Sequence, residues 1–214
     1  MISEEPDLIF GHESPRTSFE YLPKNSTTWK MGESIIPGEF KNGCAIAVNS
    51  DQEIWLLGGE HTENRILSFD VVSHSFRELE SKLIIGRYGA RCAFIPGTKK
   101  ILVTGGRFDN FDYNVYSEME DLQYTEIIDT TDGRVTLASP MNFPRYLHGM
   151  GVITTNGQDQ LSVFGGSYDD IDCNSVELYN AQTCLWETTN ITLSSCKSMF
   201  GFLSVKLGNI MSLK

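Results

Sequence analysis

The stretch LSVFGG, residues 161–166, carries a strand-like apolar run straight into two adjacent glycines. The same ending returns in WLLGGE at 55–60 and LVTGGR at 102–107, and a near-copy, LIFGHE, stands at 8–13. A single glycine after a strand is ordinary turn punctuation. Four matching stretches describe one unit written several times, and a repeat of this size governs the whole fold.

Working outward from the doublets, the same sequence events follow each one. After Gly165 and Gly166 comes SVELYNAQTCLWE, with Tyr179 and Trp186 seven residues apart. After Gly58 and Gly59, Phe69 and Phe76 hold the same spacing, and after Gly105 and Gly106 Ile128 and Val135 do. After Gly11, Tyr21 and Trp29 are eight apart. Each pair brackets a polar turn (NAQT, VSHS, TTDG, PKNSTT) between alternating apolar runs, which predicts a β-hairpin. Upstream, RYGARCAFI from Arg87 aligns with RYLHGMGVI from Arg145; KSMFGFLSV and FKNGCAIAV are looser copies.

The unit is thus four strands: an Arg-led strand A, a strand B ending in the doublet, and a hairpin C–D with a large residue on each arm. The doublets recur 47 and 60 residues apart, from Gly58 to Gly105 and from Gly105 to Gly165. No helical periodicity competes. An all-β chain of four-stranded antiparallel sheets follows, arranged as one domain over 1–214 with units 1–36 (partial), 37–83, 84–140, 141–193 and 194–214 (partial).

These residues resemble the Kelch repeat: a Gly-Gly pair after a strand, then a Tyr and a Trp about seven residues on from each other. Gly165, Gly166, Tyr179 and Trp186 match throughout; Phe69 and Phe76 stand in the aromatic places of one unit, Ile128 and Val135 in those of the next. In the first unit His12 replaces the second glycine. The resemblance implies β-propeller blades, here an incomplete propeller, and scaffold or adaptor roles in protein binding. The copper site of Kelch-like oxidases has no matching Tyr/His/Cys set in this chain.

Composition narrows the function. A net charge of −11 argues against nucleic-acid binding, which needs a basic footprint, and admits a basic partner surface. No apolar run approaches the length of a membrane span, so membrane insertion is not expected. The acidic N-terminus has no secretory signal, which favours the cytoplasm; a secreted or cell-surface Kelch-type protein binding glycan or protein is the alternative, with sequons at Asn25 and Asn190. The five cysteines, Cys44, Cys92, Cys173, Cys184 and Cys196, show no paired spacing and read as free thiols.

No nucleophilic motif, cofactor motif or metal-spaced histidine pair occurs, so enzymatic activity, cofactor and metal are not expected. Asp169, Asp170 and Asp172 lack the glycine and distal glutamate of a calcium loop. The distinctive segment is 107–124. From the second glycine to the first large residue of strand C the chain takes 22 residues there, against 9, 10 and 13 in the other units. The insertion is aromatic and acidic, which nominates Phe108, Phe111, Tyr113 and Tyr116 for partner binding. Arg87, Arg91, Arg145 and His148 are nominated with them, as polar groups near a central channel.

Overall fold

In the computed structural model, residues 7–10, 19–23, 26–32, 45–48, 53–59, 64–109, 119–155, 157–195 and 198 are described. Among them there is no helix. The chain builds a three-stranded sheet, β1 (Asp7–Phe10), β2 (Phe19–Leu22) and β3 (Lys30–Met31), and then three four-stranded antiparallel sheets. The second sheet is β4 (Ala45–Val48), β5 (Glu53–Leu57), β6 (Ile66–Asp70) and β7 (Ser75–Glu78). The third contains β8 (Arg91–Phe94) and β9 (Lys100–Thr104), a side hairpin of β10 (Arg107–Asp109) and β11 (Met119–Asp121), and then β12 (Thr125–Asp129) and β13 (Val135–Ala138). The fourth repeats the plan with β14 (Gly149–Thr155), β15 (Gln158–Phe164), the side hairpin β16 (Ser167–Tyr168) and β17 (Ile171–Asp172), β18 (Ser175–Asn180) and β19 (Leu185–Thr192).

Each four-stranded sheet runs in chain order, so A–B and C–D turns emerge at one end and B–C and D–A loops at the other. The seven-residue spacing is a register. Phe69 lies opposite Phe76, Ile128 opposite Val135, and Tyr179 opposite Trp186. The first unit differs: Tyr21 faces Lys30, nine residues on, so Trp29 falls one residue short of the pairing position and is 38% exposed. A one-residue slip exchanges the faces of a strand.

The turns between paired residues share one chemistry. The Asp70 carboxylate accepts hydrogen bonds from the Val72 and Ser73 amides, at 2.9 and 2.7 Å. The Asn180 side-chain oxygen accepts from Gln182 and Thr183, and Asp129 accepts from Thr131. His74, Gly133 and Cys184 then take left-handed φ values of 53°, 74° and 58°, closing the turn. Asn and Asp favour such turns because their side chains satisfy the backbone two residues on.

The core lies between sheets. Ala45, Trp55, Leu57 and Ile66 of the second sheet pack on Ala90, Cys92, Ile101, Val103 and Ile128 of the third. The other face of the third sheet, with Leu102 and Ile127, packs on Leu161, Val163, Tyr179 and Trp186 of the fourth. Strand β9 is buried on both faces as a result, from Ile101 to Thr104. Tyr21 of the first sheet packs against Ile54, Phe69 and Val71 of the second. The large C–D pair of each sheet therefore faces the preceding sheet, where each buried side chain contributes about 1.5–3 kcal/mol. The first strands β4, β8 and β14 lie successively against one another.

Strand A begins later than its arginine suggests. Arg87 and Arg145 stand four residues ahead of β8 and β14, in the linker that enters each sheet. The final unit, 194–214, falls almost wholly outside the described residues.

Candidate functional site

The loop end of the sheets is organised by the glycine doublets. Both glycines of each doublet have positive φ: 67° and 112° at Gly58 and Gly59, 55° and 97° at Gly105 and Gly106, 64° and 90° at Gly165 and Gly166. The first glycine amide donates within its own unit, to the carbonyls of Arg65, Tyr124 and Ser175 respectively. The second reaches the next unit: Gly59 donates to the Arg87 carbonyl and Gly106 to the Arg145 carbonyl, each at 2.9 Å. A Cβ on Gly105 would stand 2.3 Å from the Arg145 carbonyl oxygen, so no side chain fits.

The arginines so anchored turn their side chains inward. The Arg145 guanidinium meets Glu177 at 2.8 Å and donates to the carbonyl of Gly165 at 2.8 Å. Glu177 also accepts from the Asn142 amide at 2.7 Å. Arg87 repeats this arrangement with Glu126 at 2.5 Å and the Gly105 and Tyr124 carbonyls at 2.9 and 2.8 Å, while Glu126 accepts from the Ile84 amide. All four side chains are 0% exposed. Burial pushes the Arg87 guanidinium below its ordinary pKa, against the pull of Glu126. These pairs tie strand C of a sheet to the linker that enters it.

His148 is equally enclosed. Its Nε2 lies 2.8 Å from the Thr104 hydroxyl, across the junction of the third and fourth sheets. Burial, with the positive charges of Arg145, Arg91 and Arg87, holds its pKa well below the ordinary histidine value. Arg87, Arg145 and His148 thus belong to the interior and offer a partner no surface; the hydrogen bonds they make lie at the strand junctions, while Arg145 Nε and His148 Nδ1 have no partner among the described residues. Arg91 is half-buried on β8 and donates to the Ala90 carbonyl. Phe108 is half-buried on β10. Phe111, Tyr113 and Tyr116 lie outside the described residues.

The polar surface at this end is built by two hairpins. Arg107 on β10 stacks 3.8 Å above the Tyr146 ring and forms a fork with Asp121 on β11, Nε to Oδ1 at 2.6 Å and Nη2 to Oδ2 at 3.1 Å. The same Nη2 reaches Asp170 of the fourth sheet at 3.0 Å. Asp121 returns the contact by accepting from the Asp169 amide at 2.8 Å. The Asp121 hydrogen bond, with Asp170 behind it, raises the Arg107 pKa above its ordinary value, and burial raises that of the Tyr146 phenol. Asp169 and Asp170 sit at φ 50° and 59° in the tight turn between β16 and β17. A cleft of about 590 Å3 opens between the hairpins, with Glu120, Tyr124, Tyr168 and Asp169 on its walls.

The sequence reading singled out the aromatic-acidic insertion, of which 110–118 lie outside the described residues, and missed Glu126 and Glu177. Their signal was a glutamate two residues before the large strand-C residue, in TEIID and VELYN, in both units with an arginine-led linker. The pairing of Arg107 with Asp121 and Asp170 had no such repeat to reveal it.

Among the described residues no group of three or more His, Cys, Asp or Glu is placed to hold a metal ion. Cys92, Cys173 and Cys184 are free thiols. No helix among the described residues is long and apolar enough to cross a membrane. The chain matches no protein-family model, and a search of curated proteins returns no match.

Proposed function

We propose that this chain is a non-catalytic interaction module of Kelch type, in which four-stranded units stack as blades of an incomplete β-propeller and present their B–C and D–A loops to a partner protein as a scaffold or adaptor. The observation that carries this reading is the contrast at the loop end. The interior arginines and histidine make their hydrogen bonds at strand junctions, while Tyr124 and Tyr168 stand 42% and 53% exposed on the walls of a cleft and Phe143, on the loop between the third and fourth sheets, is 50% exposed. Rigid sheets carrying exposed aromatic side chains on loops are the ordinary architecture of a binding surface. Equivalent register in three successive sheets, with the large C–D pair always toward the preceding sheet, supports the repeat on which the propeller reading depends.

A photo-crosslinking residue introduced singly at Phe143, at Tyr168, or at Thr131 in the opposite C–D turn tests the reading. Adducts with a discrete partner from the first two positions and none from the third are expected. Adducts only from Thr131, or from no position, overturn it.

A further inference from the structure

The cleft between the β10–β11 and β16–β17 hairpins has an ion-paired floor and solvent-exposed acidic and aromatic walls. On the floor, Arg107 is held by Tyr146, Asp121 and Asp170. On the walls, the carboxylates of Glu120 and Asp169 make no ion pair and accept no hydrogen bond among the described residues, and Tyr124 and Tyr168 are substantially exposed. Among the described residues that line it, one guanidinium, Arg107, stands with four carboxylates: Glu120, Asp121, Asp169 and Asp170. The cleft is therefore net acidic within a chain whose net charge is −11.

We propose that this cleft receives an arginine side chain from a basic segment of the partner protein. The proposal rests on the interaction reading above and names the chemistry of its ligand. Exposed tyrosine faces together with unpaired carboxylates suit a planar cation, since a guanidinium stacks on an aromatic ring while its N–H fork meets carboxylate oxygens. The floor already displays that recognition mode intramolecularly, in Arg107 stacked on Tyr146 and chelated by Asp121. A ligand arginine would repeat it one layer outward, on Tyr168 and Tyr124 with Glu120 and Asp169. An anionic ligand would meet uncompensated carboxylates instead.

The test uses a fluorescein-labelled nonapeptide of glycine and serine bearing three arginines, with a glutamate-bearing counterpart, titrated with the full chain and read by polarisation. Saturable binding of the arginine peptide alone is expected. It should weaken about tenfold or more in Tyr168→Ala and in the double variant Glu120→Gln/Asp169→Asn, as loss of a charge-assisted anchor does. The double variant Glu80→Gln/Asp132→Asn removes the same charge from exposed positions elsewhere and should bind within about twofold of the parent. Equal weakening in both double variants would reduce the attraction to net charge and overturn the proposal, as would absence of saturable binding. If the partner still crosslinks at Tyr168 while the arginine peptide does not bind, the basic-ligand inference falls and the interaction reading stands.

Discussion

The Glu177 carboxylate lies 2.8 Å from the Arg145 guanidinium with neither side chain exposed, and Glu126 and Arg87 repeat the relationship one sheet earlier. A buried pair adds little against an apolar replacement of both members, but removal of one leaves the other charged and unsolvated. Glu177→Ala and Glu126→Ala should each cost about 3–5 kcal/mol in urea unfolding. A loss below about 1 kcal/mol would mean that solvent reaches the orphaned arginine and that the enclosure described above is wrong.

The doublet glycines make a sharper steric prediction. Gly105 and Gly97 both have positive φ, 55° and 73°, but only Gly105 has backbone within reach of a Cβ. Gly97→Ala should cost only the left-handed penalty, about 1–2 kcal/mol. Gly105→Ala should exceed it by at least about 2 kcal/mol, because the Arg145 carbonyl must retreat and the Gly106 hydrogen bond to it is lost. Equal melting shifts for the two variants would contradict the docking of the doublet on the next unit.

His148 makes the stability pH-dependent. Its folded pKa is depressed by burial and by Arg145, Arg91 and Arg87, so in acid the unfolded chain binds a proton that the folded chain refuses. Stability from this group is fully present above the unfolded value of about 6.5 and declines as the pH falls below it, by about 1.4 kcal/mol per unit. Thr104 and Gly105 across the junction, and Gly166 within its own unit, supply no carboxylate to stabilise the cation. Chemical unfolding of the parent and of His148→Gln between pH 7 and 5 checks this: the parent's slope should be steeper by about that amount, and parallel slopes would dismiss the histidine as the cause.

The repeat was legible because each unit writes its register into spacing. Tyr179 and Trp186, seven apart around a turn opened by Asn180, had to face one another, and they do. The same rule located Phe69 opposite Phe76 and Ile128 opposite Val135. Burial was harder to read. Arg87 and Arg145 carry full charges, which sequence alone assigns to surface, and only the third dimension supplies Glu126 and Glu177 at the right distance to permit their enclosure. The cleft had the same difficulty: Asp121 and Asp170 are 49 positions apart, and their shared hold on Arg107 arises from the stacking of two sheets.

Two tryptophans close the comparison, since both occupy the motif position in sequence and only one occupies it in space. Trp186 faces Tyr179 across the strand pair, 7% exposed, with ring centroids 5.2 Å apart and Leu102, Leu161 and Val163 in the same cluster. Trp29 has slipped by one residue and stands 38% exposed. Trp186→Ala removes a buried ring between two sheets and should cost about 3–5 kcal/mol. Trp29→Ala deletes a side chain whose surface already meets water and should cost less than about 1 kcal/mol. Tryptophan fluorescence of the two variants separates the environments directly: the signal lost with Trp186 should be blue-shifted relative to that lost with Trp29. Matching stabilities together with matching spectra would show that the spacing of seven does not determine which large residue is enclosed, and the register argument for every unit would lose its basis.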